Sequence, residues 1–168
     1  MTRDKTRPRN PDAGFWGRHG WKILFGLVVV IGLFGIGDVF GGMDADPAIS
    51  AGITGLTPNE IRATSAEIAG LIDWHVRSGG LQLIAMGIIW GVILVTPFRR
   101  GERWSWYVMW TFPLWTLAVS ASFLFIELKP DEPVPPPAMS GWVFGALAGL
   151  ILVLSRRAFI RTSTESTR

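Results

Sequence analysis

The chain is expected to be all-α: an integral-membrane, up-down four-helix bundle with a short extracytoplasmic helix between its first and second spans. Three observations predict this. Four long apolar segments occupy about residues 21–40, 79–98, 104–126 and 138–155 of the 168. The polar pieces between them alternate in sign along the chain. Charged residues make up only 17% of the whole, against about 25% in a soluble domain. A bilayer core of ~30 Å is crossed by ~20 helical residues, so each segment is long enough. Backbone in lipid must satisfy its own hydrogen bonds, which favours helices. A membrane β-barrel would instead show alternating stretches of ~10 residues, and runs such as 23–36 do not alternate.

Residues 1–20 read as a disordered, basic cytoplasmic tail with Arg3, Lys5, Arg7, Arg9 and Arg18. The first apolar run outlasts the ~7–15-residue core of a signal peptide and lacks a convincing small-x-small site, so it reads as a retained signal anchor. The membrane domain is placed at 21–155 and a second cytoplasmic tail at 156–168. The two tails with Lys22 and the 99–103 turn hold 13 of the 16 basic residues and four acids, a net +9. The two remaining loops, with Asp38 and Glu127, hold nine acids and three basic residues, a net −6. The positive-inside rule then puts both termini in the cytoplasm of a cytoplasmic-membrane protein. The same distribution accounts for the isoelectric point near 10.0 without nucleic acid as a partner.

The first outer loop carries helix-start signals. Thr57-Pro58-Asn59-Glu60 is a capping box with proline at the first helical position, predicting a helix over about 58–63. Thr64-Ser65-Ala66-Glu67 predicts a second helix that begins near Ser65 and runs into the second span. Asp44 and Asp46 sit in a glycine-rich turn, where capping or solvation is the expectation. The second outer loop, 129–137, is a proline-rich link. The tight 99–103 turn favours antiparallel neighbours.

Gly80, Gly87 and Gly91 lie on one face of the second span, and Gly141, Gly145 and Gly149 on one face of the fourth. Small-residue faces let helix backbones approach closely in lipid, within the bundle or between copies. Of the nine tryptophans, Trp16, Trp21, Trp104 and Trp106 fall near the inner interface and Trp74 and Trp142 near the outer one, as an aromatic belt. On the third span, Trp104, Tyr107, Thr111, Trp115 and Ser122 share a more polar face, predicted to point inward. Pro113 is expected to kink or loosen that helix.

Cysteine is absent, which removes disulfides, thiolate zinc, iron–sulfur clusters and covalent haem. His19 and His75 fall on opposite sides of the membrane, against a bis-histidine haem. No metal is expected. No HExxH, GxSxG or Walker pattern is present, so a non-enzymatic role is favoured and no catalytic residue is assigned. Ionisable groups within spans are functional candidates by default. The candidate ligand-binding set is Asp38, His75 and Gln82 at the outer half, with Tyr107, Thr111 and Trp115 on the third span. The plainer reading of Asp38 is an ion pair with Arg77 or His75.

The stretches 55–61 (Gly-Leu-Thr-Pro-Asn-Glu-Ile) and 96–107 (Thr-Pro-Phe-Arg-Arg-Gly-Glu-Arg-Trp-Ser-Trp-Tyr), followed by Trp110 and Pro113, resemble a group of small four-span bacterial membrane proteins, mostly uncharacterised. The resemblance covers about residues 23–128 and centres on the Arg-Arg-Gly-Glu-Arg-Trp turn. It implies topology and carries no activity. At the level of fold the plan is similar to DoxX-type four-helix membrane proteins, which are linked to redox or quinone-associated complexes.

Three roles remain open at this point. The first is a non-enzymatic bundle or accessory subunit, with membrane lipids, further copies or other membrane subunits as partners. The second is a binder of a small apolar ligand, a quinone or lipid, or a redox accessory. The third is a small transporter formed by oligomerisation.

Overall fold

The computed structural model describes residues 14–160. Its fold is all-α. Among the described residues seven α-helices follow in order: α1 (Phe15–Gly41), α2 (Pro47–Thr54), α3 (Pro58–Thr64), α4 (Ala66–Ile93), α5 (Arg103–Met109), α6 (Thr111–Ser122) and α7 (Pro136–Ser155). Among the described residues, four stretches are long and apolar enough to cross a membrane: Phe15–Asp44, Ala66–Phe98, Arg103–Phe125 and Pro136–Ala158.

α1 starts at Phe15, six residues ahead of the expected 21. Residues 15–20 are therefore helix rather than disordered tail, and Gly20 is buried beside Ile151 of α7. The rest of that predicted tail, 1–13, lies outside the described residues. At its far end α1 stops at Gly42, whose φ of +57° no β-carbon-bearing residue adopts easily. The last carbonyls of α1 are exposed helix ends that need donors. Arg77 of α4 supplies them, donating to Val39 O at 2.6 Å and Phe40 O at 3.3 Å. Its positive charge also suits the negative end of the α1 dipole.

The outer loop contains two helices rather than one. α3 forms where its capping box predicts: the Thr57 amide donates to Glu60 Oε2 at 2.7 Å and the Glu60 amide to Thr57 Oγ1 at 3.4 Å. α2 was not foreseen. Asp46 caps it by accepting from the Ala48 amide at 3.2 Å, and Pro47 takes the first helical position. The Asp-Pro dipeptide is a start signal. Asp44 instead receives a forked pair from Arg62, at 3.1 and 2.5 Å.

The Thr57 amide and hydroxyl hold the Glu60 carboxyl below the usual glutamate range. A depressed acid contributes stability that is complete above its unfolded value and is lost as pH falls through the folded one. Acid titration should therefore move the Thr57 amide resonance with a midpoint below that of a free glutamate. An unshifted midpoint would contradict the capping box.

α4 begins after Ser65, whose hydroxyl accepts from the Ile68 amide at 3.3 Å. It runs straight through the second span. It then loosens into a π-turn over Leu94–Phe98 that contains Pro97, because proline has no N–H to continue the ladder. The chain reverses at Gly101, where φ is +75°. Glu102 does not pair with an arginine across this turn. Its Oε2 accepts from Trp104 Nε1 at 2.8 Å. Arg99 lies 5.2 Å over the Trp21 ring. The third span breaks at Trp110 into α5 and α6, three residues before Pro113, as the missing donor of that proline leads one to expect.

α1 packs along α4, α6 along α7, and α1 along α7. The two close pairs thus form a four-helix bundle joined chiefly through α1 and α7. Its core lies in the half nearest the basic turns. There Leu24, Val28, Leu94, Met109, Phe112, Ile151 and Leu152 are sealed from solvent. Phe159 belongs to this core and lies 4.6 Å from Phe98, ring to ring. Residues 156–160 are thus a turn packed on the bundle, not free tail, and 161–168 lie outside the described residues.

Candidate functional site

The half of the bundle nearest the acidic loops is open where the other half is packed. Between the α1–α4 pair and the α6–α7 pair lies a partly enclosed cavity of about 340 Å³. Its walls are mostly apolar, with Ile31, Phe34, Leu83, Trp115, Val119 and Phe144 among them. Asp38 of α1 and Asp46 at the start of α2 also line it.

Glycine seams set this geometry. A β-carbon on Gly80 would lie 2.6 Å from Gly35 O and 2.8 Å from Asp38 Cβ, so α1 and α4 touch backbone to backbone there. Gly87 faces Gly32 of α1, with 3.6 Å of ordinary clearance. Gly91 meets only the Phe25 ring. On α7, Gly141 abuts Thr116 O and the Ser120 hydroxyl, and Gly145 abuts Leu117 and Thr116 of α6. Gly149 has room, with Trp110 at 3.8 Å. These seams hold each pair tightly, and the gap opens between the pairs.

The candidate residues separate. Asp38 and Trp115 line the cavity. His75 and Gln82 do not: both are exposed on the side of α4 that faces away from α1. The glycine face of α4 turns towards α1, so the opposite stripe turns outward. Asp38 forms neither expected ion pair. Arg77 is committed to Asp73 at 2.7 Å and to the α1 carbonyls, and Asp73 also accepts from the Met43 amide at 3.0 Å. Among the described residues the Asp38 carboxylate has no hydrogen bond or salt bridge, while its carbonyl accepts from the Gly42 amide.

The third span also presents a different face. Trp104 and Tyr107 are each 51% exposed, and Thr111 and Ser122 are exposed too. Ser105, Trp106, Met109, Phe112, Thr116 and Ser120 point inward instead. The polarity of this buried face is internally satisfied. Ser105 Oγ donates to Glu102 O at 2.6 Å, Thr116 Oγ1 to Pro113 O at 3.0 Å and Ser120 Oγ to Pro137 O at 2.6 Å. Trp106, expected as an interfacial anchor, is buried and donates to Leu152 O at 2.9 Å. Thr111 does have a role: it accepts from Trp90 Nε1 at 3.0 Å, tying α4 to α6. Trp90 meets Phe112 at a tilt and Trp115 edge-on, with ring centroids 4.9 and 5.7 Å away, forming a wall of aromatic rings beside the cavity.

Asp46 is the cavity residue that sequence reasoning undervalued. Burial pushes its carboxyl above the ordinary aspartate value, and the Ala48 amide pulls it partly back. The Asp73–Arg77 pair was legible as an i, i+4 couple. Among the described residues, no group of His, Asp and Glu side chains is placed to hold a metal ion. No family model, curated protein or solved structure matches the chain.

Proposed function

We propose that the chain is a multi-pass protein of the cytoplasmic membrane, non-catalytic, that holds a small apolar molecule in the cavity between its helix pairs. Both ends of the chain and the arginine turn are then cytoplasmic, and the acidic loops face outward. The observation that carries this reading is the 340 Å³ cavity itself. It falls in the size range of small-molecule sites, which are typically ~300–1,000 Å³ and apolar with few polar groups. A membrane lipid chain or a quinone has the matching character and reaches the site from the bilayer.

Topology supports the orientation. Lys22, Arg99, Arg100, Arg103, Arg156 and Arg157 gather at the packed end, where anionic lipid of the inner leaflet would meet them. The resemblance to small four-span membrane proteins agrees with this plan and adds no activity.

Ser140 lines the cavity, so Ser140→Phe should fill it. Native mass spectrometry of the protein released from mild detergent should find wild type carrying an apolar small molecule. The variant should lose about nine-tenths of that occupancy, a tenfold fall, while keeping its melting temperature. Equal retention by both proteins, or none by wild type, would overturn the proposal.

A further inference from the structure

The charge inventory of the cavity narrows what it holds. Among the described residues, Asp38 and Asp46 are its only ionisable lining residues, and no lysine, arginine or histidine lines it. Of the basic groups on the neighbouring elements, Arg77 and Arg62 are held elsewhere, and Lys129, whose stem lies beside Gly55 at the end of α2, does not line the cavity. Arg77 serves Asp73 and the end of α1, and Arg62 serves Asp44 and Asn59. His75 lies on the exposed face of α4. Of the two carboxylates, Asp46 accepts one amide hydrogen bond and Asp38 accepts none among the described residues. Of the two wall hydroxyls, Thr116 already donates to Pro113 O, and Ser140 carries no charge. What the cavity offers a ligand is therefore negative charge and acceptor capacity at one end, with aliphatic and aromatic surface for the rest. An ionised carboxylate accepts hydrogen bonds and cannot donate them. A carboxylic acid ligand would be repelled, and a neutral one would occupy the apolar part and at best hydrogen-bond to the carboxylates without neutralising them. A cation would pair with them, and the rings of Phe34, Trp115 and Phe144 line the same cavity.

We infer that the cavity takes a cationic amphiphile, a molecule with a protonated amine or quaternary ammonium head against Asp38 and Asp46 and an apolar body between the helix pairs. This deepens the proposed function and rests on that reading of the cavity. Asp38 is the principal counter-ion, because it stands on a main helix and its carboxylate has no other partner among the described residues. Asp46 assists from the loop, where its first duty is to cap α2.

The test uses three probes of one shape: 4-phenylbutylamine, 4-phenylbutan-1-ol and 4-phenylbutyrate. Binding is measured at neutral pH to the full chain in phosphatidylcholine nanodiscs, with protein-free nanodiscs as reference. The amine should bind at least about tenfold more tightly than the alcohol, and the butyrate more weakly than either. Asp38→Asn should abolish the preference for the amine while leaving the alcohol unchanged, and Asp46→Asn should reduce it in part. Equal binding of amine and alcohol by wild type, or an amine preference untouched in Asp38→Asn, would overturn the inference. If alcohol binding still falls in Ser140→Phe, the apolar cavity stands and only its cation preference is lost. If no probe responds to Ser140→Phe, the cavity reading falls as well.

Discussion

Replacing Trp90 by alanine is expected to cost about 3 kcal/mol of bundle stability. Trp90 is 3% exposed and adds a link from α4 to α6 beside the main α1–α7 contact between the pairs. Its indole fills the space against Phe112 and Trp115 and gives its N–H to Thr111. Truncating a buried tryptophan costs ~3–5 kcal/mol in soluble cores. The low end applies here, because in lipid the displaced side chain remains in an apolar medium and the loss is mainly packing and the hydrogen bond. Thermal unfolding in a mild detergent measures it. The same truncation should enlarge the cavity and weaken any ligand held beside Trp115. A loss below about 1 kcal/mol would mean that the pairs are not held together through this residue.

The second large effect concerns the α1–α4 seam. Gly80→Ala should destabilise by about 2–3 kcal/mol, at the upper part of the usual range for overpacking. The added methyl would meet the Gly35 carbonyl at 2.6 Å and the backbone amide of Val39 at 3.0 Å. Neither can rotate away, so the helices must separate. Gly79→Ala is the matched control, since a β-carbon there meets nothing within 4 Å. In a helix that exchange favours alanine by up to ~1 kcal/mol. Neighbouring, chemically identical substitutions should therefore have opposite signs. If both behave alike, the backbone contact is not where it is described.

Much of this architecture was legible because it follows from length and local chemistry. Four apolar runs of sufficient length give four helices whatever their partners. The Thr57–Glu60 box and the Ser65 cap act within four residues, so α3 and the start of α4 could be read directly. Facing directions were harder. The inward side of the third span was sought among its polar residues, yet Ser105, Thr116 and Ser120 are buried because their hydroxyls find carbonyls three residues back or on α7. A hydroxyl satisfied in this way does not mark a face as wet or dry. His75 and Gln82 shared a stripe with the right chemistry. The stripe lies opposite the glycine face, and once Gly80 meets Gly35 it has to turn away from Asp38. The cavity itself has no sequence signature. It arises from the spacing of two tight pairs, a tertiary quantity that single-helix periodicity does not contain.

Which way the bundle sits decides whether the cavity opens towards the outside of the cell. The chain has no cysteine, so one introduced thiol reports one position. Ser50 would be a poor choice, being 7% exposed. Ala63 is exposed on α3 at the acidic end, and Arg100 is exposed in the turn at the basic end. In bacterial cells expressing the single-cysteine proteins, a membrane-impermeant maleimide should label Ala63→Cys in intact cells and Arg100→Cys only after lysis. Labelling of Arg100→Cys from outside, with Ala63→Cys protected until lysis, would contradict the account.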